Sequence, residues 1–472
     1  MNFRPIFRYL PYLLIITVFC VLRWMDFDGF HGQDSYEYLR LARNIQDQWL
    51  NGAKPTDAIY PPGFPVLGAA FGLVVGSVEW GLSLASLFFA FLCCWFFQRI
   101  LDLLYPGKEW EKSFFTLFVL VLCPAFMKAS QIPMSDMAAL SCFMGLIWVC
   151  LSFDKNPRNG LLLLAALFTV LAISTRIATL VIIPFPIFFL AWKSIEKRKF
   201  FALIGGALLF GFLLFILFQF STSFGKFNAG HPYSPDHWNF LHIFQKEFHS
   251  KEGNALYTLP NFIFVTAIFY HKAFQFWGVI YLIFTILSIR ERPQIWKLLW
   301  LPIGVYLLFM AGLSVQNERY LLLVFPLSLI LIFPGFARVF EIVKSTRYWI
   351  PVLLVHLASQ LYLNFRSLRG PFHLSAFEKN LAMDLQPYRQ RKIYSFSVDV
   401  SLKQRIPGIQ IYNMWAERFT QIDPNALVLF NVPAFEKAWK NQNPMINWDR
   451  LNQHKLVPVK LWPNGWVLYE IN

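Results

Sequence analysis

Residues 201–220 read FALIGGALLFGFLLFILFQF, a run without a single charged side chain. A helix of about 20 apolar residues crosses the hydrocarbon of a bilayer, because its backbone groups are satisfied internally and its side chains need no water. Residues 298–315, LLWLPIGVYLLFMAGLSV, repeat the pattern. Across 472 residues 56% are hydrophobic and 15% charged, against about 25% charged in soluble domains. The fold class that follows is an all-α polytopic membrane protein.

Working outward from these runs, hydropathy and charged flanks predict about eleven crossings, beginning with Tyr9–Trp24 and ending with Tyr348–Leu363. Ser113–Lys128, Asp136–Phe153, Ile177–Trp192, Lys272–Ile289 and Tyr320–Phe336 are among them. Basic residues collect in every second connection, as at Arg4 and Arg8, Lys155 and Arg158, or Lys193, Lys197, Arg198 and Lys199. That bias puts the N-terminus in the cytoplasm, and an odd number of crossings leaves the C-terminus outside. The net charge of +15 is therefore a topology signal rather than the footprint of a nucleic-acid partner.

The six cysteines lie in or beside apolar runs, as small hydrophobes rather than a disulfide or zinc framework. Arg4 and Arg8 before Leu10–Leu22 resemble a signal peptide, but no small-residue cleavage site follows, so an uncleaved first span is expected. Three outer segments stand out by length: 25–63, 221–260 and 364–472. The predicted organisation is a membrane domain over 1–363 and a small extracytoplasmic α/β domain over 364–472, with strand-like runs at Lys392–Val398, Ala426–Phe430 and Trp466–Ile471.

The first outer segment contains His31-Gly32-Gln33-Asp34-Ser35-Tyr36-Glu37-Tyr38. From Asp34 onward Tyr38, Leu41, Ala42, Ile45 and Trp49 recur at helical spacing, which predicts an amphipathic helix on the membrane surface. Asp34 sits at its start, where a carboxylate is favoured both by the helix dipole and as a simple cap. A rigid turn, Tyr60-Pro61-Pro62, returns the chain to the membrane, and the Gly-rich Phe64–Val78 is too short to cross comfortably. Asp136 opens the fourth span after Lys128, Arg176 stands alone between two apolar runs, and Asn317-Glu318-Arg319-Tyr320 precedes the tenth span.

In this order the motifs resemble the GT-C superfamily of membrane glycosyltransferases, in the branch of aminoarabinose and protein O-mannosyl transferases. That pattern has an early acid in the first outer loop, a Tyr-Pro-Pro turn, a second acid near the start of a later span, a basic residue between two spans, and an Arg-Tyr pair with a downstream Pro. Here it falls on Asp34, Tyr60-Pro61-Pro62, Asp136, Arg176 and Arg319-Tyr320 with Pro326. The resemblance covers most of residues 1–340. Many members carry Asp-Glu at the first acid and this chain has Asp34-Ser35, so no neighbouring carboxylate is there for metal binding or acceptor positioning.

The resemblance implies transfer of a sugar, with inversion, from a polyprenyl-phosphate donor to a lipid, glycan or protein acceptor on the outer face of a bacterial inner membrane. Asp34 and Asp136 become the expected catalytic acids. Arg319, Tyr320, Arg176 and Lys128 become the donor-phosphate residues, and Tyr38, Tyr60, Pro61 and Pro62 substrate-positioning ones. The chemistry is consistent: phosphate is already a good leaving group, one carboxylate suffices to deprotonate an acceptor hydroxyl, and guanidinium forks suit a departing phosphate. An arginine at membrane depth is expensive, so it usually has a function; snorkelling is the bland alternative, as an interfacial position is for Lys128.

Asp34 with Asp136 also offers oxygen ligands for a divalent cation such as Mg or Mn. The loop 221–260 carries His231, His237, His242 and His249 without a compact zinc motif, and its Tyr233, Trp238, Phe240 and Phe244 suit sugar stacking or an interfacial lid. A flippase or transporter of a lipid-linked glycan is the rival class. It predicts polar residues at mid-membrane and internal repeats, whereas here the polar residues lie near one interface and no repeat is evident.

Overall fold

The computed structural model describes residues 4–54, 58, 60–222, 238–250, 253–274, 276–288, 296–414, 418–439 and 445–472. The first half is helical: α1 (Arg4–Trp24), α2 (Gly32–Asn51), α3 (Gly63–Val75), α4 (Val78–Leu104), α5 (Glu109–Phe115), α6 (Pro124–Gln131), α7 (Ser135–Lys155), α8 (Asn159–Thr175), α9 (Pro184–Glu196) and α10 (Phe200–Thr222). A small hairpin, β1 (Glu247–Ser250) with β2 (Gly253–Leu256), precedes α11 (Asn261–Phe264), α12 (Gly278–Ser288), α13 (Trp296–Ala311), α14 (Glu318–Leu321), α15 (Phe325–Lys344) and α16 (Trp349–Leu385). The C-terminal segment alternates β3 (Lys392–Ser395), α17 (Asp399–Arg405), β4 (Gln410–Asn413), β5 (Leu427–Phe430), α18 (Val432–Trp439), α19 (Met445–Leu451), β6 (Leu456–Leu461) and β7 (Val467–Ile471).

A mostly helical chain with long apolar helices and one small sheet is the architecture of a polytopic membrane protein. Among the described residues α1, α4, α7 and α15 are long and apolar enough to cross a bilayer. Several other expected crossings are interrupted. Ser113–Lys128 is not one helix but a pair bent by 69° at the break before Pro124; proline has no N–H to donate and forces the preceding Cys123 into an extended conformation. Ile177–Trp192 opens as a single 3-10 turn, Ile177–Val181, before Pro184 starts α9. Phe64–Val78 forms the short helix α3, whose Gly68 and Gly72 lie flat against Gly81 of α4, where an added Cβ would meet Gly72 Cα at 2.7 Å. Small residues of this kind let membrane helices approach backbone to backbone.

The sheet order is β4-β3-β5-β7-β6, with β3 parallel to β4 and β5, and β7 antiparallel to β5 and β6. All four residues of the central β5 are buried, as expected of a strand covered on both faces. One face packs on Leu381, Ala382 and Leu385 of α16 and Leu402 of α17, and the other on Met445 and Leu451 of α19. The expected boundary at residue 364 falls inside α16, which runs unbroken for 37 residues from the bundle into the core beneath the sheet.

One element lies differently from expectation. Residues 35–39 of α2 are all buried, so its first half is not a membrane-surface helix with a wet face but a layer between the bundle and the sheet. Arg43 of α2 donates to Gln404 Oε1 at 2.8 Å and Gln33 to Asp399 Oδ1 at 3.1 Å, both on α17. In the loop 221–260, His231, Tyr233, Asp236 and His237 lie outside the described residues. Trp238 donates to Phe309 O at 3.0 Å and His242 Nδ1 lies 3.0 Å from Gly312 O, both docking the segment on the end of α13.

Candidate active site

Four charged residues from four separate elements meet at one end of the bundle. Asp34 lies in the first turn of α2, Asp136 in the first turn of α7, Arg176 at the C-terminal end of α8, and Arg319 on the one-turn α14. Each position is set by a local break. Gly32, at φ +69°, starts α2; Pro133 precedes α7; Arg176 takes an extended conformation that ends α8; and Asn317 caps α14 by accepting from Arg319 N at 3.0 Å. Charged side chains at helix ends can turn toward one another while the apolar helix bodies face lipid or core.

The charges alternate along a chain of contacts. Arg319 Nη1 donates to Asp34 Oδ2 at 2.7 Å. Arg319 Nε lies 3.1 Å from Asp136 Oδ2, within ion-pair range although its N–H is not aimed at that oxygen. Arg176 Nη1 donates to Asp136 Oδ1. The Tyr320 ring lies between the guanidinium groups, 5.0 Å from Arg176 Cζ and 6.0 Å from Arg319 Cζ, a cation–π arrangement that steadies both. Asp136 and Arg176 are buried, whereas Asp34 is 32% exposed and marks the open end.

Tyr60 closes the other side of Asp34, its hydroxyl donating to Oδ1 at 2.6 Å. Burial alone would push the Asp34 carboxyl up; the Arg319 charge and the hydrogen bonds from Tyr60 and Arg319 instead hold it below the ordinary carboxylate value. Pro61 and Pro62 follow Tyr60 in the turn that leads into Gly63, which packs so closely on Ser174 that an added Cβ would meet its carbonyl carbon at 2.6 Å. Tyr38 is 2% exposed and off the cavity wall. Its hydroxyl bonds Ser135 Oγ at 2.8 Å and its ring lies 5.1 Å from that of Tyr60, tilted by 36°, so it packs behind the residue that bonds Asp34.

A cavity of about 460 Å³ is lined by Asp34, Asp136, Arg319, Lys128, His31 and Gln33 among others, while Arg176 and Tyr320, expected with them at a donor phosphate, are not on its wall. Lys128, from α6 just past the broken span, has no hydrogen-bond or ion-pair partner among the described residues. A separate apolar groove of about 310 Å³ runs between α8, α9 and α10 and is joined by Leu180 of the 3-10 turn that follows Arg176. Asp34 and Asp136 do not form an open oxygen pair for a cation, because the Arg319 guanidinium stands between them.

Ser35 answers the departure from the Asp-Glu pattern. It is fully buried, and its hydroxyl accepts from His31 N at 2.7 Å and donates to His31 O at 2.8 Å. The residue after Asp34 thus points away from the cavity. His31, which the sequence reading left without a role, is instead on the cavity wall. It is the residue directly before α2, which begins at Gly32, two residues ahead of the expected start at Asp34.

No family model matches the sequence, and no curated protein does. Solved structures do. ArnT from Cupriavidus metallidurans bound to undecaprenyl phosphate superposes with a TM-score of 0.56 at 12% identity, over 97% of this chain and 97% of that one. The same protein in the apo state gives a TM-score of 0.53, again at 12% identity and 97% of both chains. The oligosaccharyltransferase of Archaeoglobus fulgidus in the apo form gives 0.45 at 9% identity, over 87% of this chain and 64% of that one. The chain has the fold of ArnT over 97% of its length.

Proposed function

We propose that the protein is a membrane glycosyltransferase that moves a sugar from a polyprenyl-phosphate donor to an acceptor hydroxyl at the extracytoplasmic face. The observation that carries this reading is the convergence of Asp34, Asp136 and Arg319 on one cavity, with Arg176 paired to Asp136 behind its wall, at one end of a bundle with the ArnT fold. The solved ArnT complex holds undecaprenyl phosphate, and a lipid of that class suits this site: an anionic headgroup for Arg319 and Lys128, an isoprenoid tail for the apolar groove beside Arg176.

The reaction follows from the contacts. The phosphate of the donor competes with Asp34 for Arg319, since both are anions seeking the same guanidinium fork. Release from Arg319 raises the basicity of Asp34, which then takes the proton of the acceptor hydroxyl. The acceptor oxygen attacks the anomeric carbon, the bond from that carbon to the phosphate oxygen breaks, and the electron pair leaves on the phosphate. Arg319 and Lys128 stabilise the charge that develops there. A single displacement of this kind inverts the anomeric centre. Asp136 does not take part in proton transfer; it fixes the two arginines.

The test uses membranes containing the protein and radiolabelled undecaprenyl-phosphate sugars, with the label followed into acceptor fractions. Asp34→Asn abolishes transfer on this reading, and Arg319→Ala lowers it by about 100-fold. Full activity in both rejects it.

A further inference from the structure

Both carboxylate oxygens of Asp34 are engaged, one by Tyr60 and one by Arg319. A substrate hydroxyl entering the cavity therefore meets few polar groups still without partners. Lys128 is one, and its charge suits an anion. The other is His31.

The imidazole of His31 is held where it is by its own backbone. Ser35 clamps both the N–H and the C=O of His31, and Gly32, at φ +69°, turns the chain sharply into α2 directly after it. Nδ1 of the ring is covered and has no hydrogen-bond partner. A buried polar atom left unpaired costs about 1–3 kcal/mol, and such an atom calls for an explanation, a ligand among them. Burial first, then the positive charges of Lys128 and Arg319, push the His31 pKa down to about 4. The ring is thus neutral near pH 7, with one nitrogen donating and one accepting. A neutral imidazole between a lysine and a paired carboxylate is a poor anion site and a good partner for a hydroxyl group, which also donates and accepts.

We propose that His31 is a substrate-contacting residue that hydrogen-bonds a carbohydrate or acceptor hydroxyl inside the Asp34 cavity, fixing its orientation without taking its proton. The proposal rests on the glycosyl-transfer reading above. It gives the chain a second polar contact on the same cavity wall as the base.

The experiment compares wild type, His31→Ala, His31→Gln and Arg319→Ala in two measurements: binding of undecaprenyl phosphate, which has neither sugar nor acceptor, and transfer from radiolabelled undecaprenyl-phosphate sugars. His31→Ala is expected to lower kcat/KM by about tenfold, the worth of one hydrogen bond. His31→Gln restores most of it, since an amide can also donate and accept, and undecaprenyl phosphate binding is unchanged in both. A higher KM for the donor assigns the hydroxyl to the transferred sugar; a lower kcat at saturating donor assigns it to the acceptor.

Unchanged kcat/KM in His31→Ala overturns the assignment. So does a parallel loss of undecaprenyl phosphate binding, which would mean that His31 merely supports the cavity. Carbethoxylation by diethyl pyrocarbonate near pH 6, at which only unprotonated imidazoles react, gives a readout without turnover. His31 is modified on this proposal, and a silent His31 overturns it. If wild type neither binds undecaprenyl phosphate nor transfers sugar while Arg319→Ala behaves identically, the transfer reading fails and the His31 assignment falls with it; if wild type does both and His31→Ala matches it, only the His31 assignment fails.

Discussion

Arg319 holds Asp34 across 2.7 Å, joining residues 285 positions apart in the chain. The contact ties the proposed base to the proposed phosphate ligand before any substrate is present, so neither group can change its state without affecting the other.

The first prediction follows from the fork of Arg319. Arg319→Lys keeps the charge but offers one ammonium in place of two nitrogens that reach separate carboxylates. Initial transfer rates should fall by roughly 100-fold in Arg319→Ala, the usual worth of a lost charge-stabilising donor. The lysine variant should recover only a part. A lysine variant at full rate would show that the bridge between the two acids is dispensable.

The second concerns the buried pair. Asp136 is 4% and Arg176 7% exposed, so Asp136→Leu strands a guanidinium without its closest carboxylate. Removing one partner of a buried ion pair costs about 3–5 kcal/mol, whereas replacing both by apolar groups is often neutral. Thermal unfolding in detergent should therefore show Asp136→Leu well below wild type, and the double variant Asp136→Leu/Arg176→Met well above the single one, although inactive.

How much of this was legible in the sequence depended on contrast. Asp34, Asp136, Arg176 and Arg319 stood out because charge in an apolar setting is rare, and their order along the chain followed a known pattern. Their pairing was not legible, because which arginine meets which acid depends on the helix ends at Gly32, Ser135, Arg176 and Asn317. Tyr38 had the right helical phase for a substrate contact, but phase does not show that the sheet and bundle cover α2 from both sides. The end of the last span was placed at Leu363 because polar residues begin there, yet polar residues such as Gln360 and Asn364 are compatible with helix, and Asn364 Nδ2 donates to Leu122 O at 2.6 Å inside the bundle.

A third prediction lies in that interface between α3 and α4. An added side chain at Gly81 would strike the backbone of Gly72. Gly81→Ala should destabilise the protein by about 1–3 kcal/mol, as overpacking generally does, and Gly81→Leu by more. Because α3 begins at the turn that carries Tyr60, both variants should also lower transfer, measured at a temperature where the variant is still folded.

The fourth is a pH effect away from the cavity. Glu378 of α16 is 1% exposed, packed beside Tyr36, Ser401, Arg405 and Asp28, and burial pushes its carboxyl up to about 7. A carboxyl raised above its unfolded value of about 4.3 binds its proton more tightly in the folded protein. Its contribution is therefore full below pH ~4 and is lost as pH rises toward 7, by an amount on the order of 3 kcal/mol. Melting temperatures between pH 5 and 8 should fall more steeply for wild type than for Glu378→Gln, whose side chain stays neutral throughout. Parallel curves would place the titration elsewhere.

The length of α16 has a mechanical consequence. At 37 residues the helix is ~55 Å long, and it is pinned at successive heights by Asn364 to Leu122, Ser375 to Asp28 and Lys379 to Asp26. The sheet at its far end is consequently not a pendant module on a hinge but the head of a stiff mast stepped into the helical bundle. Grafting it onto a related enzyme at residue 364 would cut that mast in mid-shaft; the transplant has to carry the whole rod from Trp349, or the fittings that seat α2 are lost.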